Sequence, residues 1–110
     1  MRKLLFIVPL ALAGCGGSDG APPITPPGNG AEVFTPGNVF SPFNTTIALG
    51  GTVTFVISGN PHNVIFASAG APANINIVTN TSVARTFNTR GTFPYDCTVH
   101  PGMSGQVVVQ

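Results

Sequence analysis

Past residue 30 the chain is a succession of short runs in which apolar and polar positions alternate. Val53, Phe55 and Ile57 interleave with Thr52, Thr54 and Val56, and Val83, Arg85 and Phe87 repeat the same step of two. That period places one set of side chains on each face of an extended strand. β-Branched and aromatic runs bounded by Gly, Pro, Asn and Ser predict strands over 32–34, 38–40, 45–49, 52–57, 62–67, 74–78, 82–87, 91–97 and 105–109. The stretch 67–73, Ala-Ser-Ala-Gly-Ala-Pro-Ala, is small and irregular and is expected to be a loop or a short helical turn. No segment carries a helical period and there is no internal repeat. Eight or nine short strands at close spacing predict an all-β fold, a single-domain Greek-key β-sandwich.

Composition agrees with many turns, since Gly occurs 14 times and Pro 11 times in 110 residues. Charged residues make up only 6%, with a formal net charge of +1, so the basic stripe of a nucleic-acid-binding protein is missing. The N-terminus reads differently from the rest. Arg2 and Lys3 precede an apolar run over 4–13 that is too short to span a bilayer, the layout of an export signal. Leu12-Ala13-Gly14-Cys15 resembles the bacterial lipoprotein signal, which implies cleavage before Cys15 and acylation of that residue. The expected organisation is a signal peptide over 1–14, a lipid-anchor Cys15 with a Gly/Pro-rich tether over 15–30, and a folded domain over 31–110. Removal of the signal leaves Arg85 and Arg90 against Asp19, Glu32 and Asp96, a net charge of −1. The tether composition cannot bury a core, and such a chain reaches roughly 45 Å when extended. The implied location is the bacterial cell envelope, facing the periplasm. Gly16, rather than Asp, after the Cys leans towards the outer membrane.

The candidate chemistry lies in Cys97-Thr98-Val99-His100-Pro101-Gly102-Met103, between the last two predicted strands. Thiolate, imidazole and thioether at i, i+3 and i+6 can converge at the end of a sheet. Soft sulfur donors with imidazole suit copper, and one Cys, two His and a long axial Met form a blue-copper site. The other His is His62, 35 positions before Cys97, at the start of a predicted strand. Taken singly, a buried His, a Cys at a strand end and a Met after a turn are ordinary core residues. Here they are the only His, Cys and Met residues of 31–110, and they fall together. A Cys15–Cys97 disulfide is the competing reading in an oxidising compartment, but it leaves the Cys–His–Met spacing without a reason.

The pattern Phe40-x-Pro42, Val53-x-Phe55, Pro61-His62-Asn63-Val64-x-Phe66 and Gly91-x-Phe93-x-Tyr95-x-Cys97-x-x-His100-x-x-Met103-x-Gly105-x-Val107 resembles the plastocyanin-like cupredoxins over essentially all of 31–110. Two residues between His100 and Met103 make the loop similar to that of amicyanin. The resemblance implies one mononuclear Cu(I)/Cu(II) ion held by His62, Cys97, His100 and Met103. It also implies that Asn63 ties the ligand loops together and that the Pro61 carbonyl lies opposite Met103. Tyr95 is expected to pack inward, and Arg85 and Arg90 to be solvated.

The expected function is single-electron transfer between redox proteins that dock briefly on a low-charge, apolar patch around His100. The alternative is a copper-binding or storage protein with no redox partner. No His remains for a second copper centre, so an enzyme is not expected. A monomer with no nucleic-acid partner is expected, attached to the lipid bilayer through acylated Cys15.

Overall fold

The computed structural model describes residues 28–110. Eight strands follow one another: β1 (Gly30–Phe34), β2 (Asn44–Ile47), β3 (Thr52–Ile57), β4 (His62–Phe66), β5 (Ile75–Val78), β6 (Thr81–Thr86), β7 (Gly91–Asp96) and β8 (Ser104–Val109), with no helix among the described residues. They form two sheets, β1-β3-β6 and β2-β8-β7-β4-β5. Only β4–β5 and β7–β8 are neighbours both in sequence and in a sheet. The other connections cross between sheets, the Greek-key sandwich that the alternation predicted. Two pairings, β1 with β3 and β2 with β8, are parallel.

The inward set of each strand is the apolar set. Val53, Phe55 and Ile57 of β3 meet Phe93 and Tyr95 of β7 and Val107 and Val109 of β8 in one buried cluster. Tyr95 stands edge-on to Phe40, Phe55 and Phe66, with ring centroids 4.9, 5.3 and 5.8 Å away. Such edge-to-face pairs add to the burial of their area.

Strand directions give the sandwich two unlike poles. At one, β3 ends, β4 begins, β7 ends and β8 begins. At the other, Ala48 N–H donates to the Gly28 carbonyl (2.9 Å), Thr52 N–H to that of Asn29 (2.8 Å) and Leu49 N–H to that of Gln110 (3.0 Å).

Two local expectations change. Residues 38–40 form no strand: Phe34 and Ser41 exchange two 2.8 Å backbone bonds, and the chain between them loops out through Gly37 at φ 67°. Phe40 turns from that loop into the core. Arg85 is not simply solvated either. It sits opposite Val53, on the inward side of edge strand β6, and reaches over the sandwich edge. Its guanidinium donates to the carbonyls of Ala73 (2.8 Å), Asn74 (2.9 Å) and Ala84 (3.0 Å), clamping the irregular segment 67–74. That segment has no helical turn. The signal segment, Cys15 and most of the tether lie outside the described residues.

Candidate metal centre

Three polypeptide segments supply the site, all at the first pole. His62 opens β4 and is fully buried. The next residue, Asn63, points to the opposite face and is buried too. The register shift in the β4–β5 pairing falls on β5, so β4 keeps its alternation, with His62, Val64 and Phe66 on one buried face, and Asn63 is buried because the loop after β7 covers the other. Asn63 then faces the other segment: its Nδ2 donates to Thr98 Oγ1 and its Oδ1 accepts from Thr98 N, both at 2.8 Å.

Cys97 follows β7 directly and is buried. From there the chain makes a closed loop. Cys97 N–H donates to the Met103 carbonyl (2.9 Å), and Met103 N–H to that of His100 (3.1 Å). Pro101 and Gly102 fill the centre of this second turn, with Gly102 at φ 82°. That is the left-handed conformation required at the third position of a type II turn, with Pro favoured just before it. Met103 is buried at the end of the loop, and His100 is half-buried at its crest.

The donors converge. Cys97 Sγ lies 3.8 Å from Nδ1 of His62 and 3.7 Å from Nδ1 of His100. The ligand atoms of the three residues lie within 4.8 Å of one another. These separations are too long for good hydrogen bonds. They match two donors on a shared ion: bonds of ~2.1 Å to nitrogen and ~2.3 Å to sulfur, ~120° apart, leave the donors ~3.8 Å apart. The imidazole rings stand 4.8 Å apart, tilted by 58°. Burial, then the neighbouring His100, hold His62 below the ordinary imidazole range, while the Gly37 backbone opposes the shift. Neutral imidazole is the form that binds a metal. The donor set fits one soft-ligated ion.

Thr98, Thr35 and Asn80 escaped the sequence reading. All three act through hydrogen bonds to distant backbone or side-chain groups, which no periodicity reveals.

Residues 35–110 match the family of copper binding proteins described as plastocyanin/azurin. Plastocyanin from Scenedesmus fuscus is 35% identical over 85 residues, covering 66% of this chain and 87% of its own. Plastocyanin A/B from Petroselinum crispum is 33% identical over 86 residues, covering 66% and 89%. Among solved structures, amicyanin from Paracoccus versutus superposes with a TM-score of 0.65 at 30% identity, covering 76% of this chain and 84% of that one. Fold and site thus define a cupredoxin. The chain belongs to the plastocyanin/azurin family of copper-binding proteins, and its cofactor is one copper ion.

Proposed function

We propose that this protein is a blue-copper electron carrier and not an enzyme. His62, Cys97, His100 and Met103 would hold the ion. Bound copper would supply a one-electron Cu(II)/Cu(I) couple. The chain's own residues do the rest. Asn63 and Thr98 lock the His62 strand to the ligand loop, and the Pro101–Gly102 turn sets the span between His100 and Met103. A frame that keeps its shape in both oxidation states keeps reorganisation small.

The observation that carries the reading is the asymmetry of the two imidazoles. His62 is shut in the core, whereas His100 reaches the surface from the same metal position. Electrons therefore have one short exit, through His100. Val99, beside His100, is 39% exposed. Such a surface suits the small, brief contacts of redox encounters, and we propose that redox proteins dock there.

The localisation reading is also a proposal: acylated Cys15 anchors the chain in the bacterial envelope, facing the periplasm. The described chain begins at the pole away from the metal centre, where Gly28 and Asn29 pair. A tether leaving that pole favours presenting His100 away from the bilayer. Incorporation of radiolabelled fatty acid, abolished in Cys15→Ala, is the expected result; equal labelling of both chains would remove the anchor.

The functional test is a visible absorption and electron paramagnetic resonance spectrum after addition of copper(II), compared with Cys97→Ser. An intense blue band with narrow copper hyperfine splitting, lost in the variant, is expected. A pale copper signal indifferent to the substitution would overturn the carrier reading and leave plain copper binding.

A further inference from the structure

The turn that delivers His62 to the metal centre, residues 58–61, is exposed at all four positions. No packing fixes it, and it lies beyond the paired ends of β3 and β4. Yet the imidazole it leads into is completely buried. What holds the turn is a set of side chains from two other loops. Thr35 Oγ1 accepts from Ser58 N–H (3.0 Å) and donates to the Ser58 carbonyl (3.3 Å). A hydroxyl can do both at once. Gly59 is gripped from the opposite side, where its N–H donates to Asn80 Oδ1 (3.2 Å) and its carbonyl accepts from Thr79 Oγ1. Asn60 Nδ2 donates to Asn38 Oδ1 (3.2 Å).

Two features mark these braces as more than surface polarity. Thr35 is buried to 1% exposure and follows β1, where the parallel β1–β3 pairing has stopped. Its side chain therefore substitutes for a strand partner to Ser58. Asn80 has a positive φ of 52°, alone among the described non-glycine residues. Asn tolerates that conformation better than most residues, and here it aims Oδ1 at Gly59.

We infer that Thr35 is a positioning residue for His62, braced by Asn80 from the other side. Through Ser58 it fixes the turn that aims the imidazole at Cys97. The inference rests on the copper reading of the site and names which residues outside the ligand set hold its buried ligand in place.

The test compares the full chain with Thr35→Val, Thr35→Ser and Asn80→Gly, the last keeping the left-handed backbone while deleting the acceptor. Two readouts are used: the His62 ring resonances of the metal-free protein, and the copper dissociation constant. Thr35→Val is expected to shift the ring resonances and weaken copper binding ~10- to 100-fold, the usual effect of losing an outer support to a ligand. Thr35→Ser should restore both. Arg85→Gln, which loosens a remote loop, serves as a destabilised control with unchanged copper binding. If Thr35→Val leaves the resonances in place and binding within about twofold of the parent, the inference fails whatever happens to melting. Should Thr35→Val not fold, Asn80→Gly decides by the same two readouts. If the parent chain itself binds no copper, the copper reading falls while the ring resonances still judge Thr35.

Discussion

Tyr95 and Gly105 are direct partners across the β7–β8 ladder, and the tyrosine ring lies over the glycine so closely that a Cβ there would fall 2.5 Å from the hydroxyl oxygen. Glycine is required at 105 by space rather than by backbone angle. The same ring touches Phe40, Phe55 and Phe66 edge-on, so it has no room to retreat. The pair lies two residues before Cys97 and two after Met103, and this makes the packing of the core part of the support of the metal centre.

Gly105→Ala should therefore destabilise the protein by about 1–3 kcal/mol, the usual cost of overpacking a filled core. Because β8 is pushed two residues from Met103, the visible spectrum of the copper form should shift as well. Chemical denaturation and absorption check both. Unchanged stability would mean that the ring has slack the structure does not show.

The Tyr95 hydroxyl is buried without a hydrogen-bond partner, and burial pushes the phenol pKa well above its ordinary value. The group stays protonated and its polarity goes uncompensated. Tyr95→Phe removes the stranded hydroxyl and keeps the ring, so it should raise stability by about 1 kcal/mol. A loss of stability in urea titration would show that the hydroxyl is bound in solution.

How legible all this is in the sequence varies with the range of the interaction. Alternation in 52–57 gave the inner face correctly, because period-two burial is local. The Cys97–His100–Met103 spacing was legible because one turn closes it. Phe40 misled: Val39-Phe40 has strand composition, but the Phe34–Ser41 pairing makes the segment a loop and spends the ring on the core. Burial of His62 and Asn63 in succession comes from the distant Thr98 loop covering the second face of β4, which no local period reveals. Arg85 read as solvated because charge predicts exposure, whereas its partners are carbonyls 11 and 12 residues away. The parallel pairings of β1 and β2 depend on which distant strand lies alongside, and no local pattern encodes that.

Arg85→Gln removes the charged clamp from the carbonyls of Ala73 and Asn74. Hydrogen bonds from a charged donor contribute more than neutral ones, but this one is partly solvated, and a loss of about 1–2 kcal/mol is expected. Amide exchange should quicken in 67–74 while the copper spectrum stays as it was. A changed spectrum would contradict the separation of this loop from the site.

Asn63 and Thr98 exchange two 2.8 Å bonds and form one unit. Asn63→Ala strands both the Thr98 N–H and its hydroxyl, whereas Thr98→Ala strands only Asn63 Nδ2, so each should cost about 1–3 kcal/mol, Asn63→Ala the more. The double variant should cost clearly less than the sum, with a coupling of about 1 kcal/mol or more. Additive losses in a double-mutant cycle would dissolve the unit. Each single variant should also release copper faster than the parent, since the His62 strand and the ligand loop are no longer joined.

The surface around His100 allows a test that needs no knowledge of the physiological partner. Val99 is exposed next to His100, and Asp96 is the only charged residue within five positions of His100 in sequence. Steering by charge is what makes association rates fall with ionic strength. If, as proposed, docking uses the His100 face, electron self-exchange between the Cu(I) and Cu(II) forms of two copies should therefore depend little on salt. Between about 0.01 and 1 M, where the screening length falls from ~30 to ~3 Å, the rate measured by nuclear magnetic resonance line broadening should change by less than about threefold. Val99→Lys plants like charges at the contact, and it should slow exchange about tenfold or more at low salt, with recovery as salt is added. A parent rate that climbs steeply with salt would mean that the copies repel each other at this face. A Val99→Lys rate equal to the parent's would mean that electrons leave elsewhere.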